Sequence, residues 1–145
     1  NSNNSNNSNN SNNSNNWLNN TFDDKHFEII ETVLQGDCFF DALRLGHPDK
    51  PNISAMRQVL SDNITYDMLD NYRTMFQNYK NVINSDKSTP EEKANAKDLI
   101  RDQKFIENIT TLEELRTAIK KSTYWADDWA IGEIEKHLHI KIIIL

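Results

Sequence analysis

Apolar residues recur three and four positions apart along much of the chain, a spacing that places them on one face of a helix. The longest stripe consists of Tyr66, Leu69, Tyr72, Met75, Phe76 and Tyr79. We predict an amphipathic helix along this stripe, and a shorter helix that Ser54 caps and that ends at Asn63. The polar stretch from Asn81 to Ser88 is predicted to be a loop.

Capping signals mark the starts of two further helices. Thr89 and Thr111 each precede a glutamate by three residues, which is the spacing of a capping box. Pro90 follows the first of them, at the position where a helix best tolerates proline. We therefore predict one helix that runs from Thr89 to Glu107 and another that runs from Thr111 to about Lys121.

The last part of the chain combines a helix signal with an apolar run. Asp127 or Asp128 is suited to cap a helix whose apolar stripe is Ala130, Ile131, Ile134 and Leu138. The run Ile140–Leu145 is almost continuously apolar, which is typical of a central strand covered on both faces. Because a buried strand rarely stops at its last apolar residue, we expect this sequence to be a fragment of a longer chain.

Another β-favouring run, Phe27 to Leu34, leads into the stretch that holds the only cysteine. Gly36 precedes Cys38 by two residues and permits a sharp turn. The residues that follow fit the inward face of a short helix through Phe39, Phe40, Ala42 and Leu43. The pattern predicts a strand, a tight turn at the glycine, and Cys38 at the N-terminus of a helix.

That arrangement suits a nucleophilic thiolate. The N–H groups and the dipole at a helix N-terminus stabilise negative charge on sulfur. The backbone amides of Gly36, Asp37 and Cys38 could point at a developing oxyanion. The alternative is that Cys38 is a small buried apolar residue among apolar neighbours. The local residues leave both interpretations open.

Composition divides the chain into two parts. The first sixteen residues are only Asn and Ser, and no apolar side chain precedes Trp17. Such a tract buries too little apolar surface to offset the entropy of ordering, so we expect residues 1–16 to be a disordered tail or linker. Residues 17–145 have the length of one domain, which we expect to be incomplete at its C-terminus.

Charge and cysteine content narrow the classes of partner. A net charge of -6 argues against a basic nucleic-acid groove. A single cysteine permits no internal disulfide, which agrees with a reducing, intracellular compartment such as the cytoplasm. The sequence has no signal peptide, and its apolar runs are too short to span a bilayer, so we expect no membrane partner.

A cysteine nucleophile needs a general base, which is usually a histidine. His47 lies in a loop after the predicted cysteine helix, and His137 and His139 flank the junction between the last helix and the last run. No third or fourth ligand accompanies His137 and His139, so we predict no metal site. His26 is a fallback that could reach the cysteine turn only if the first strand folds back. We expect the base to lie beyond Leu145.

Three segments resemble the ovarian-tumour (OTU) family of cysteine proteases. The run Gln35–Leu43 is similar to the family's nucleophile motif, Asp-Gly-any-Cys-apolar-aromatic-any-Ala-apolar. The run Met56–Leu60 is similar to the apolar-Arg helix that follows it. The run Tyr124–Ile131 is similar to the family's Trp-containing segment. The resemblance extends over Phe27–Leu145.

The resemblance implies a fold, an activity and a partner. The fold would be α/β, a papain-type arrangement with a small sheet between helical lobes. Cys38 would attack the carbonyl at the C-terminal glycine of ubiquitin in ubiquitin conjugates. The amides of Gly36 to Cys38 would stabilise the oxyanion, and no metal or organic cofactor would be needed. The partner would be ubiquitin or ubiquitinated proteins.

Two departures from the family pattern keep an alternative open. Gln35 stands where the family most often has Asp, and the family's catalytic histidine would follow the run that ends at Leu145. We therefore expect residues 1–145 alone to have weak or no turnover. The alternative is a catalytically inactive OTU-like module that binds ubiquitin or another protein. A third hypothesis is a plain helical interaction domain with a buried cysteine.

Overall fold

The structure is a computed structural model that describes Thr21, residues 30–33 and residues 36–144. The chain divides into two compact units, Asn1–Glu31 and Thr32–Leu145. All the elements named below belong to the second unit. The predicted disordered tail, residues 1–16, lies outside the described residues.

Helices make up the regular structure of the described part of the second unit. In chain order they are α1 (Cys38–Gly46), α2 (Ile53–Asn63), α3 (Tyr66–Asn84), α4 (Pro90–Asp102), α5 (Leu112–Ile119) and α6 (Asp128–Leu138). A 3₁₀ turn, Lys104–Ile106, connects α4 to the segment that leads to α5.

The predicted α/β class is wrong, because the residues that the structure describes form helices and no strand. The papain-type sheet between helical lobes is therefore not part of this fold as far as it is described. Residues 140–144, expected as a central strand, have no regular structure, and the side chains of Ile143 and Ile144 are 81% and 71% exposed. The backbone here is tied to α6 instead, because Glu135 Oε1 accepts from the N–H of Ile142 at 2.8 Å.

The other predicted strand, Phe27 to Leu34, is described only at residues 30–33, which are not in a strand. The N–H of Val33 donates to Asp41 Oδ2 at 2.9 Å, so a side chain takes the group that a neighbouring strand would have used. The rest of this run, together with Gln35, lies outside the described residues.

Most helix starts follow the capping signals of the sequence. Thr89 and Thr111 form complete capping boxes with the glutamates three residues on, which confirms both predictions. Asp127 rather than Asp128 caps α6, because its Oδ1 accepts from the N–H of Ala130 at 3.0 Å. These contacts are local in sequence, which is why the sequence predicts them well.

The residue that caps α2 is not the one predicted. Asn52, and not Ser54, is the N-cap residue. Its Oδ1 accepts from the N–H of Ser54 at 2.8 Å and from that of Ala55 at 3.3 Å. Asparagine satisfies two of the free N–H groups at once, so the helix begins two residues earlier than a Ser54 cap would set it.

Three predicted helix ends are also corrected. Helix α3 continues to Asn84, and so includes half of the stretch expected as a loop, because Val82 and Ile83 are partly buried. Helix α4 ends at Asp102, before the expected Glu107, and α5 ends at Ile119. Boundaries of this kind depend on packing that a periodic pattern does not contain.

Helix α2 packs against α1, α5 and α6, whereas α3 packs mainly against α4. The core that results is apolar and includes Phe40, Met56, Leu60, Leu115, Ile119, Tyr124, Ala130 and Ile134, all at most 1% exposed. The stripe on α3 is narrower than predicted, since Leu69, Tyr72 and Phe76 are buried while Tyr66 and Met75 are exposed. The cysteine helix α1 therefore rests on the same core as α5 and α6.

Candidate functional site around Cys38

Cys38 is the first residue of α1, and its side chain is half-buried. Gly36 and Asp37 form the turn before it, and the carbonyl of Asp37 accepts from the N–H of Asp41 at 2.8 Å. The first N–H groups of a helix have no partner inside it, and the helix dipole favours negative charge at this end. The predicted position of Cys38 at a helix N-terminus is confirmed. The oxyanion role of the amides of Gly36 to Cys38 stays a prediction.

Position 36 has no room for a side chain larger than that of glycine. A Cβ added at Gly36 would lie 1.7 Å from the carbonyl oxygen of Ser122 and 3.3 Å from Cδ1 of Trp125. The turn therefore lies directly against the segment between α5 and α6. Trp125 is 53% exposed, so an accessible indole lies beside the cysteine turn.

Arg57 of α2 binds the cysteine turn from inside the protein. Its Nε and Nη2 donate to Asp37 Oδ1 at 3.0 and 2.7 Å, and Nη2 also donates to the carbonyl of Gly36 at 3.0 Å. The guanidinium lies over the ring of Phe40 on α1, 4.3 Å from its centroid. The side chain of Arg57 is 3% exposed and that of Asp37 is 34% exposed, so a buried cation is paired with a partly exposed anion.

The same guanidinium also binds the segment between α5 and α6. Nη1 donates to the carbonyl of Ile119 at 2.7 Å, and both Nη1 and Nη2 are 3.2 Å from the carbonyl of Tyr124. All three nitrogens of Arg57 are therefore used, which is what allows this charge to be buried.

The contacts of Arg57 bring together the three segments that carry the resemblance to the OTU family. They are the cysteine turn, the run Met56–Leu60 and the beginning of the run Tyr124–Ile131. Arg57 is separated from Gly36 by 21 residues and from Tyr124 by 67. Nothing local in the sequence predicts that one side chain joins these distant segments.

Asp41 is a buried residue of α1 that the sequence did not single out. The residue is 3% exposed, and its carboxylate accepts from the N–H of Val33 and from Arg44, whose Nε and Nη2 lie 2.9 and 2.6 Å from Oδ1. The bond from Val33, followed by that from Arg44, holds the pKa of Asp41 below its ordinary value. Asp41 thus takes a place on the inward side of α1, while Ala42, expected there, is exposed.

A buried polar cluster lies near the start of α6. The carboxylate of Asp127 accepts from the hydroxyl groups of Tyr72 and Tyr124, and the two hydroxyl oxygens are 3.3 Å apart. The ring of Phe105 stands edge-on to both tyrosines, with centroid distances of 5.3 and 5.0 Å. Burial is the main cause that raises the pKa of Tyr72 and Tyr124, and the charge of Asp127 adds to it.

The described histidines are not joined to Cys38. His47 follows α1, where its N–H donates to the carbonyl of Leu43 and its Nδ1 accepts from Asp49. His137 and His139 are exposed at the end of α6. Among the described residues, the sulfur of Cys38 has no hydrogen-bond partner, and no three His, Cys, Asp or Glu side chains form a group that could hold a metal ion.

His26, the fallback base, lies outside the described residues. No helix of the described part combines the length and the apolar character needed to cross a bilayer.

Comparisons with protein-family models, with curated proteins and with solved structures found no match to this chain. The geometry around Cys38 is therefore the main basis for a functional proposal.

Proposed function

We propose that this protein is an OTU-type deubiquitinating cysteine protease that hydrolyses ubiquitin conjugates through Cys38. The observation that carries the proposal is the meeting of three segments at Arg57: the cysteine turn, α2 and the start of the Trp-containing segment. These are the segments that resemble the OTU family. The sheet of that family is not part of the proposal.

Cys38 is proposed to attack the carbonyl of the C-terminal glycine of ubiquitin as a thiolate. The C–N bond to the conjugated amine then breaks as the amine takes a proton, and water hydrolyses the thioester that remains. The developing oxyanion would accept from the N–H groups of Gly36, Asp37 and Cys38. Such donors lower a barrier most when they are fixed in advance, and a turn held by Arg57 and packed on Ser122 meets that condition.

The general base of this proposal is a histidine that is not among the described residues, and His26 is the candidate within this sequence. The Nδ1 of His47 accepts from the N–H of Asp49, and neither His137 nor His139 hydrogen-bonds to Cys38 in the part of the chain that is described. The same observation favours a second candidate function, an inactive OTU-like module that binds ubiquitin without cleaving it.

Hydrolysis of ubiquitin with a fluorogenic C-terminal amide separates the two candidates, and the full-length protein is the sample to use. We expect release of the fluorophore by the wild-type protein, no release by Cys38→Ala, and unchanged release by Ser61→Ala. Ser61 is a suitable control because it is buried in α2 but binds the carbonyl of Arg116, away from the cysteine turn.

A binding titration with unmodified ubiquitin completes the test. Saturable binding without hydrolysis would reject the protease and favour the inactive module. Neither binding nor hydrolysis would reject both candidates and favour a plain helical interaction domain.

A further inference from the structure

We propose that Arg57 is the positioning residue for Cys38: its buried guanidinium fixes the cysteine turn and thereby maintains the reactivity of the thiol. The catalytic meaning of this reactivity rests on the proposed function. The positioning role can be tested separately, because the reactivity of the thiol can be measured without ubiquitin.

The contacts of Arg57 lie on both sides of Cys38 in the sequence. Before Cys38, Arg57 binds the carbonyl of Gly36 and the carboxylate of Asp37. After it, the guanidinium stacks on the ring of Phe40. The side chain of Cys38 has no hydrogen bond within the described residues, so the contacts of these neighbouring residues determine its position.

The other contacts of Arg57 make the turn part of a larger rigid unit. The carbonyls of Ile119 and Tyr124 also accept from the guanidinium, which joins the turn to the segment between α5 and α6. Only a planar group with several donors can bind Asp37, Gly36 and these carbonyls together. Lysine has a single nitrogen and cannot span them, although it keeps the positive charge.

A purely structural arginine would change stability but not the chemistry of the thiol. The readout must therefore separate ionisation of Cys38 from its accessibility. The alkylation rate with iodoacetamide as a function of pH does so, since the plateau at high pH reports accessibility and the fraction of the plateau rate kept at pH 7 reports how well the thiolate is stabilised. Cys38 is the only cysteine, so the whole signal comes from it.

The first comparison is Arg57→Lys against wild type, with Ser61→Ala as the matched control on α2. We expect the fraction of the plateau rate kept at pH 7 to fall by about three- to tenfold in Arg57→Lys, the range set by the helix-end interactions that the thiolate would lose. Ser61→Ala should keep the wild-type profile. A wild-type profile in folded Arg57→Lys would overturn the proposal.

A second pair decides the matter if Arg57→Lys does not fold. Asp37→Asn and Asp37→Ala both remove the carboxylate charge beside Cys38, but only asparagine keeps an oxygen that can accept from Arg57. Both variants leave the buried guanidinium of Arg57 without its anionic partner, but its bonds to the carbonyls of Gly36, Ile119 and Tyr124 remain, and circular dichroism checks that each variant is folded. We expect Asp37→Ala to keep a smaller fraction of its plateau rate at pH 7 than Asp37→Asn, and equal fractions would overturn the proposal.

The outcomes also distinguish this inference from the proposed function. A shifted profile in a protein that does not hydrolyse ubiquitin conjugates would keep the positioning role and reject the protease. Hydrolysis that depends on Cys38, together with unshifted profiles in folded variants, would keep the protease and reject the positioning role.

Discussion

Gly36 and Ser122 are in backbone contact: a Cβ at residue 36 would lie 1.7 Å from the carbonyl oxygen of Ser122. This contact joins the turn before Cys38 to the segment between α5 and α6. It makes glycine at position 36 a steric requirement, independent of any role in catalysis.

We predict that Gly36→Ala lowers the free energy of unfolding by about 3 kcal/mol, because the backbone carbonyl of Ser122 would have to move. Urea unfolding followed by circular dichroism measures the change. Gly132→Ala is the control, since nothing lies within 4 Å of its added Cβ. Within α6 that substitution should stabilise by about 0.5–1 kcal/mol. Equal effects of the two substitutions would contradict the contact.

Removal of the Arg57 side chain should be among the most destabilising changes in the chain. Arg57→Ala would leave the buried carbonyls of Ile119 and Tyr124 without their donor, and we expect a loss of about 3–5 kcal/mol. Arg101→Ala is the comparison, because that side chain is 71% exposed and its ion pairs should contribute less than about 1 kcal/mol. A loss below 1 kcal/mol for Arg57→Ala, measured by urea unfolding, would show that the guanidinium contacts contribute little.

The Tyr72–Tyr124–Asp127 cluster predicts a loss of stability at alkaline pH. Both tyrosines have a folded pKa above the ordinary value, which is about 10. Their contribution is complete below pH 10 and is lost as the pH rises above it, because only the unfolded chain ionises readily there. The free energy of unfolding should be lower at pH 10.5 than at pH 8, and this decrease should be smaller in Tyr72→Phe.

At neutral pH, Tyr72→Phe should cost about 1–2 kcal/mol through the bond to Asp127 that it loses. Tyr66→Phe on the same helix is the control, because Tyr66 is 68% exposed and its substitution should change stability by less than about 0.5 kcal/mol. Equal losses of stability for the two substitutions would show that the bond from Tyr72 to Asp127 does not stabilise the protein.

Three carboxylates predict the behaviour at acid pH. Backbone N–H groups lower the pKa of each: Val33 acts on Asp41, Thr110 and Thr111 act on Glu114, and Ile142 acts on Glu135. Contributions of this sign are complete above the ordinary carboxyl pKa of about 4 and are lost as the pH falls through the lower folded values.

We therefore predict that stability declines below about pH 4 and that Glu114→Gln makes the decline less steep. Thermal unfolding between pH 2.5 and 6 measures both slopes. A variant that loses stability with acid as steeply as the wild type would contradict the role of the Thr111 capping box in this decline.

The sequence predicts the local features of this structure and not the distant ones. The boxes at Thr89 and Thr111 and the cap at Asp127 depend on residues three positions away, so their patterns are sufficient. The run Ile140–Leu145 shows the limit. An apolar run forms a strand only if a partner strand is available, and the hydrophobic pattern of the run does not show whether one is. In the described residues the carboxylate of Glu135 accepts from the N–H of Ile142 instead.

The candidate site divides in the same way. The helix start at Cys38 follows from Gly36 and the apolar residues after it. The role of Arg57 does not, because its acceptors at Ile119 and Tyr124 are 62 and 67 residues away. A signal was nevertheless present, since Arg57 is adjacent to Met56 and three residues before Leu60, both of which face the core. A charged residue on the apolar side of a helix needs buried partners.

The central claim is that Cys38 is a nucleophile toward the C-terminus of ubiquitin. The most direct measurement is mass spectrometry of the intact chain, followed by peptide mapping, after incubation with ubiquitin that carries a C-terminal electrophile, because trapping needs no turnover. We predict a 1:1 adduct on the peptide that contains Cys38, and no adduct in Cys38→Ala. Absence of the adduct from the full-length wild-type protein, or an adduct that persists in Cys38→Ala, would contradict the claim.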